Sequence, residues 1–362
     1  MRLLRSLSRR GALPACAAAL CLTLGAPAAV SARPSSSAIP AAPDRGAAIQ
    51  AQPEGALQAF VLTSSPDSFA DLQAHAGALG VIYPTYFQCA LPTGLVEGAL
   101  DPALDAYAAA RGLAELPRFS CQDGATVHEI LTAPSVRART LARLTALAAA
   151  PDYRGLDLDL ENDGARDRGA LSAFVAALAA RLHAEGRELA VDVDGVERED
   201  PRRATYLYDD RAIAAAADTV FVMAWGVHWE RSAPGPLAPL PYVRAVARRL
   251  AALPHARRFV LGVPLYGLDW AGRGGRADPA TALQYAGVLA LARSVAAAPA
   301  RAAGSGEMTF AYRRAGVVHH VWYLDATAVA QRIALARRYG LGAGLWRLGE
   351  EDQGIWGAPG VG

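Results

Sequence analysis

The chain has 362 residues and a formal charge of +2, and all 36 of its basic side chains are arginine. Arg2, Arg5, Arg9 and Arg10 crowd the N-terminus, so the remainder carries about −2, which excludes the broad basic face of a nucleic-acid binder. That length leaves room for one large domain or two modest ones.

Residues 1–32 read as an export signal: a basic start to Arg10, an apolar run from Gly11 to Val30, and the small-residue exit Val30-Ser31-Ala32. A membrane anchor is the alternative, because the run is nearly long enough to span, but Pro14 and Pro27 interrupt it. The mature protein is then expected outside the cytoplasm, in the periplasm, at the wall or free in the medium, with no stable membrane span. Arg33 to Gly55, rich in Ser, Pro and Ala and without apolar periodicity, reads as a flexible tether. Removal of the leader leaves only Cys89 and Cys121. In an oxidising compartment the two can pair, or they can stay as two core thiols; neither case makes a metal site.

From Ala56 onward short apolar runs alternate with helical periods. The strands expected are Leu57–Thr63, Gly80–Phe87, Leu113–Ser120, Gly155–Glu161, Glu188–Asp194, Thr219–Trp225, Arg258–Pro264 and Gly342–Trp346. Helical stretches such as Ser135–Ala149, Arg168–Glu185, Pro241–Ala252 and Ala326–Tyr339 separate them. This βα rhythm predicts an α/β fold, a (β/α)₈ TIM barrel over 56–362. An open doubly wound sheet competes, but its Gly-rich first turn is missing. The connection between the seventh and eighth strands, about 271–325, is long enough for a small α+β insertion. Within it Met308–Tyr323, centred on Arg313-Arg314-Ala315-Gly316, reads as a β-hairpin beside a cleft.

The most informative stretch is Gly155-Leu156-Asp157-Leu158-Asp159-Leu160-Glu161. Strand side chains alternate, so Asp157, Asp159 and Glu161 share one face, about 6.6 Å apart. On an edge strand that face would simply be wet. On the inner face of a barrel three carboxyls carry a desolvation cost that packing would not retain. Such crowding raises at least one pKa and keeps a carboxylic acid protonated for general acid work. Glu161 sits at the C-terminal end of the strand, where barrel sites open.

These residues resemble glycoside hydrolase family 18, the chitinase-like enzymes, whose fourth strand carries Asp-Gly-x-Asp-x-Asp-x-Glu. Gly155, Asp157, Asp159 and Glu161 match that pattern, with Arg154 in place of its leading aspartate. Further along, Val222-Met223-Ala224-Trp225 stands where the family has Met-x-Tyr-Asp. The blocks Pro234 to Leu240, Leu261 to Trp270 and Leu345 to Asp352 resemble the bacterial spore-cortex and germination glycosidases. The resemblance implies substrate-assisted retention at N-acetylglucosamine in peptidoglycan or chitin, without cofactor or metal. Glu161 would be the proton donor, Asp159 would hold the acetamido group that acts as nucleophile, and Asp157 would support Asp159. Trp346 would form the floor under the sugar, with Tyr266 and Asp269 at the rim and Met223, Trp225 and Tyr86 as further substrate contacts. Trp225-Gly226 removes a hydroxyl and a carboxylate that the family uses there, and Pro117 to Cys121 lacks its Ser-x-Gly-Gly. A lectin-like binding protein is therefore the second reading.

Asp192 and Asp194 share a face of the fifth strand and either extend the polar floor or cap the next loop. His228 is read as a hydrogen-bonded structural residue more readily than as a cleft residue, and His319-His320 lack metal-ligand spacing.

Overall fold

The computed structural model of the protein describes residues 55–361, apart from 151–152, 162–163, 201 and 276–277. The leader over 1–32 and all of the tether except Gly55 lie outside the described residues. Among the described residues no helix is long and apolar enough to cross a membrane.

The chain folds as an α/β protein around a curled parallel sheet. Strands Leu57–Val61, Leu79–Pro84, Gly155–Leu160, Glu188–Asp194, Thr219–Met223, Phe259–Pro264 and Gly342–Trp346 contribute to it. The run expected at Leu113–Ser120 is split at Pro117, which has no N–H to give to a ladder. Its first part, Ala114–Glu115, pairs with Leu79–Pro84, and its second part, Arg118–Cys121, pairs with Gly155–Leu160. At the other side Gly342–Trp346 pairs with both Phe259–Pro264 and Leu57–Val61. Gly155 is required by close approach: a Cβ there would stand 2.0 Å from the carbonyl oxygen of Glu188.

The run expected at Gly80–Phe87 also divides. After Pro84 the chain turns and forms Phe87–Ala90, which hairpins onto Leu95–Gly98 and pairs in parallel with Arg118–Cys121. The signal for this extra hairpin was present in Pro92-Thr93-Gly94, a turn between two short apolar runs. Cys89 and Cys121 are joined in a disulfide across this pair of strands, with Cα atoms 5.1 Å apart. Of the two expectations for these cysteines, the bonded one holds. Closing a loop with a sequence separation of 32 stabilises the fold by about 3–4 kcal/mol in the chain-entropy account. Replacing both cysteines with serine should lower the urea midpoint of the oxidised protein by a corresponding amount. An unchanged midpoint would remove the bridge from the stability of the fold.

Helices start where side chains can take up free N–H groups. Ser65, Asp101, Asp123 and Asp325 accept from the backbone N–H of Ser68, Ala103, Thr126 and Ala328 at 3.4, 3.0, 2.9 and 2.9 Å. Pro66 and Pro102 then occupy the first helical turn of Pro66–His75 and Pro102–Arg111. Leu156, Leu158 and Leu160 share one large buried cluster with helical Leu171, Phe174 and Leu178. On the inner face a separate cluster of Phe60, Val81, Tyr83, Ala190, Phe221 and Val260 fills the sheet, with Trp225 and Trp346 against it. Phe221 fits there because Gly262 and Gly344 face it; a Cβ on either would lie 2.6 or 2.3 Å from the ring.

Between Phe259–Pro264 and Gly342–Trp346 the chain forms a five-stranded antiparallel sheet and the helix Tyr285–Ser294. It begins at Gly267, ahead of the expected boundary at 271, because Gly267–Ala271 is drawn out along Val317–Tyr323. Met308–Arg314 and Val317–Tyr323 make the expected hairpin. Their two-residue turn, Ala315 and Gly316, has φ of 49° and 82°, the left-handed conformation that a tight hairpin needs. Glu307, fully buried, ties this sheet down: it accepts from Leu237 N–H at 2.9 Å and Ala238 N–H at 2.8 Å, with Arg332 at 3.4 Å. The Pro234 to Leu240 block thus serves at least in part as an anchor for the second sheet.

Candidate active site

Strand alternation gives the site its basic form. In Gly155–Leu160 the leucines face the helices and Asp157 and Asp159 face inward, both fully buried. Glu161 follows directly, still in the ladder through its N–H to the Cys121 carbonyl at 3.0 Å. Its carboxyl reaches a cavity of about 1280 Å³ lined also by Phe60, Arg118, Gln122, Asp192, Asp194, Met223, Trp225, Tyr266 and Trp346. The aspartates lie behind that lining, and only the glutamate of the three faces the open space.

The electrostatics separate the carboxyls. Burial, then the charges of Asp159 and Asp194, push Glu161 up to about 8, against weaker opposing effects of Arg118 and of the Gln122 side chain, whose Nε2 donates to Oε1 at 2.9 Å. Asp157 is also pushed well up by burial, and neither of its oxygens meets a hydrogen-bond partner among the described residues. Asp192 is raised for the same reason and by Asp157 and Asp159, and Asp194 is raised to about 6, first by burial. Asp159 differs: Arg118 Nη2 and Ser120 Oγ both donate to its Oδ2, the latter at 3.1 Å. Carboxyls raised by burial therefore stand around Asp159, which is held by Arg118 and Ser120. An ionised carboxylate and a protonated carboxylic acid side by side can hold a polar group and deliver a proton to its neighbour.

Most of the expected residues converge on this cavity. Trp346 lines it with its ring edge against Phe60 at 4.9 Å, and Trp225, Met223 and Tyr266 line it as well. Asp192 and Asp194 take the polar-floor alternative. Two placements need correction. Asp269 is not at the rim: it belongs to the second sheet, where it accepts from Tyr312 Oη at 2.6 Å and pairs with His319 Nδ1 at 3.0 Å. Tyr86 is packed in the core and gives its hydroxyl to Asp105 at 2.6 Å, away from the cavity lining. Both follow strands that do end near the mouth, but Asp269 lies in the second sheet and Tyr86 in the turn before Phe87–Ala90. His228 is a bracing residue, with Nδ1 2.9 Å from the Ala233 carbonyl and its ring over Gly235. Arg154 pairs with Glu188 at 2.7 Å.

Arg118, Ser120 and Gln122 were not singled out from the sequence. The register signal existed: Arg118 stands opposite Asp157 and Ser120 opposite Asp159, so both must face inward. The missing Ser-x-Gly-Gly drew attention to what this strand lacks and away from the arginine it has.

Residues 123–351 match the family model described as Glycosyl hydrolases family 18. YdhD of Bacillus subtilis strain 168, named as a sporulation-specific glycosylase, is 30% identical over 224 residues, covering 61% of this chain and 53% of its own. The chain thus spans about half the length of that relative. YvbX, an uncharacterized glycosylase of the same organism, is 27% identical over 237 residues, 65% of this chain and 68% of its own. The crystal structure of a chitinase from Chromobacterium violaceum ATCC 12472 superposes with a TM-score of 0.75 at 28% identity, over 86% of this chain and 98% of that one. With well over half of the chain inside the match, and Asp157, Asp159, Glu161 and Trp346 all within it, the protein belongs to family 18 of the glycosyl hydrolases.

Proposed function

We propose that the protein is an exported retaining glycosidase that cuts β-1,4 links beside N-acetylglucosamine in peptidoglycan or chitin. The observation that carries this reading is Glu161, held protonated near neutral pH at the mouth of a cavity, next to the paired Asp159 and the Trp346 ring. We read the curled sheet as the family's (β/α)₈ barrel and the antiparallel sheet as its insertion between the seventh and eighth strands. In the reaction, Glu161 gives its proton to the glycosidic oxygen as the bond from that oxygen to C1 breaks. The substrate's acetamido carbonyl oxygen closes onto C1 to form an oxazolinium, with its N–H toward Asp159. The ionised Glu161 then takes a proton from water, whose oxygen attacks C1 and reopens the ring with retention. Tyr266, Trp225 and Met223 would shape the walls.

Digestion of peptidoglycan and of chitin oligomers, followed by mass spectrometry, tests the reading. Products with a reducing N-acetylglucosamine end and overall retention are expected, and an absence of cleavage on both would overturn it. A thiazoline mimic of the oxazolinium should inhibit competitively. Trp225-Gly226 favours a second reading, a sugar-binding protein without turnover, for which the same mimic would bind while both polymers stayed intact.

A further inference from the structure

The Arg118 guanidinium lies among the carboxyls and contacts two of them, Asp159 and Asp192. Arg118 is buried, donates through Nη2 to Asp159 Oδ2, and brings Nε within 3.7 Å of Asp192 Oδ2. Its Cζ also lies 5.0 Å from the centroid of the Trp346 ring. Ser120 Oγ supplies a second donor to the same oxygen of Asp159, whereas Asp159 Oδ1 has no hydrogen-bond partner among the described residues. The side chain thus touches three things at once: a carboxylate that it pins by one oxygen, a second acid on the adjacent strand, and the aromatic floor.

We propose that Arg118 is a positioning residue for the hydrolysis: it holds Asp159 by Oδ2 just behind the cavity lining, keeping the buried Oδ1 unpaired for the acetamido N–H of a sugar seated at the mouth, and it steadies the Trp346 ring under the same sugar. This rests on the hydrolase reading above. A planar guanidinium suits the task, because it can serve two acids with different nitrogens while its face lies on an indole; an ammonium has the charge but not that shape. The groups that face Arg118 are Asp157, Asp159 and Glu161 on one strand, Asp192 on the next, and Phe60 and Trp346 across the mouth. Asp194, Tyr83, Tyr208 and Tyr266 interact electrostatically with this cluster, and Tyr242 and Asp210 do so through Asp194. Without the cation the cluster as a whole should hold its protons more tightly, since its one internal positive charge is gone.

The test compares wild type, Arg118→Gln and Arg118→Lys in pH–rate profiles on chitin oligomers, beside carboxyl ¹³C titrations by NMR of the free proteins. Arg118→Gln should lower kcat by about 10²-fold with little change in KM, as when a fixed donor at a reacting centre is removed. Its acid limb should move up by roughly one pH unit, with the cluster's carboxyl resonances titrating later by the same amount. Arg118→Lys should return the acid limb to its wild-type position while recovering only part of kcat. That split separates charge from shape, and a merely structural role would not produce it. Should Arg118→Gln fail to fold, Arg118→Lys alone decides: full wild-type kcat would overturn the proposal, and a reduced kcat with an unmoved acid limb would support it. A glutamine variant with wild-type limbs, or one faster than wild type because the guanidinium had blocked the sugar site, would also overturn it. If wild type cleaves neither polymer, the hydrolase reading falls by itself, and the NMR titration still shows whether Arg118 governs the cluster.

Discussion

Replacing Glu161 with glutamine should lower turnover of N-acetylglucosamine oligomers by at least about 10³-fold, toward the upper part of what a positioned general acid supplies. Glutamine keeps the shape of the side chain and can still meet Gln122, but it has no proton to give. Substrate binding should change little, so the loss falls on kcat. The same variant makes a second, opposite claim about stability. A carboxyl raised to about 8 in the folded protein stays protonated while its unfolded counterpart ionises from about pH 4.3 upward. The folded state then binds more protons than the unfolded one, so the wild type loses stability as pH rises through that window. Glutamine does not titrate. The variant should melt at nearly the wild-type temperature at pH 4 and a few degrees above it at pH 8. The wild-type rate should also fall on the alkaline side of about pH 8, where Glu161 gives up its proton. Equal rates in the two proteins would remove Glu161 from the chemistry. A melting difference that did not grow with pH would mean that the side chain is not held as a buried acid.

Different parts of the molecule were legible in the sequence to different degrees, for physical reasons. The strand from Gly155 to Leu160 was plain because alternation with period two puts leucines and acids on opposite faces, and the surrounding βα rhythm points the acids inward. Trp346 could be placed because it ends a strand and lies in the Leu345 to Asp352 block that carries the family resemblance. Pro117 was visible, but its consequence, one run divided into two pairings, depends on which neighbour each half meets. That is tertiary information. Asp269 and Tyr86 were misplaced for the same reason: chain position put both near the mouth, whereas pairing in the second sheet and packing against Asp105 took them elsewhere. Arg118 is the instructive omission. A lone arginine in an apolar run is usually read as an edge or a snorkelling side chain. Only register, Arg118 opposite Asp157 and Ser120 opposite Asp159, shows that it must answer the acids across the ladder.

The same pairing gives Asp159→Asn a large and separable effect. On the proposed mechanism the rate should fall by about 10²–10³-fold, because the side chain assigned to the acetamido N–H is no longer a carboxyl. Stability should fall too. Arg118 and Asp159 are both buried, and removing one partner of a buried pair leaves an uncompensated charge at a cost of about 3–5 kcal/mol. The charge of Asp159 is also one of the causes that raise Glu161, so in the variant the alkaline limb of any residual activity should shift downward. These claims can be separated by a double-mutant cycle in urea between Asp159→Asn and Arg118→Gln. If the instability comes from a stranded guanidinium, adding Arg118→Gln to Asp159→Asn should restore part of what was lost, a coupling of about 1–3 kcal/mol. It should not restore the rate, because neither the carboxylate nor its pin is present. Strict additivity in stability would mean that the two side chains do not depend on each other, and a recovered rate would place the decisive charge elsewhere in the cluster.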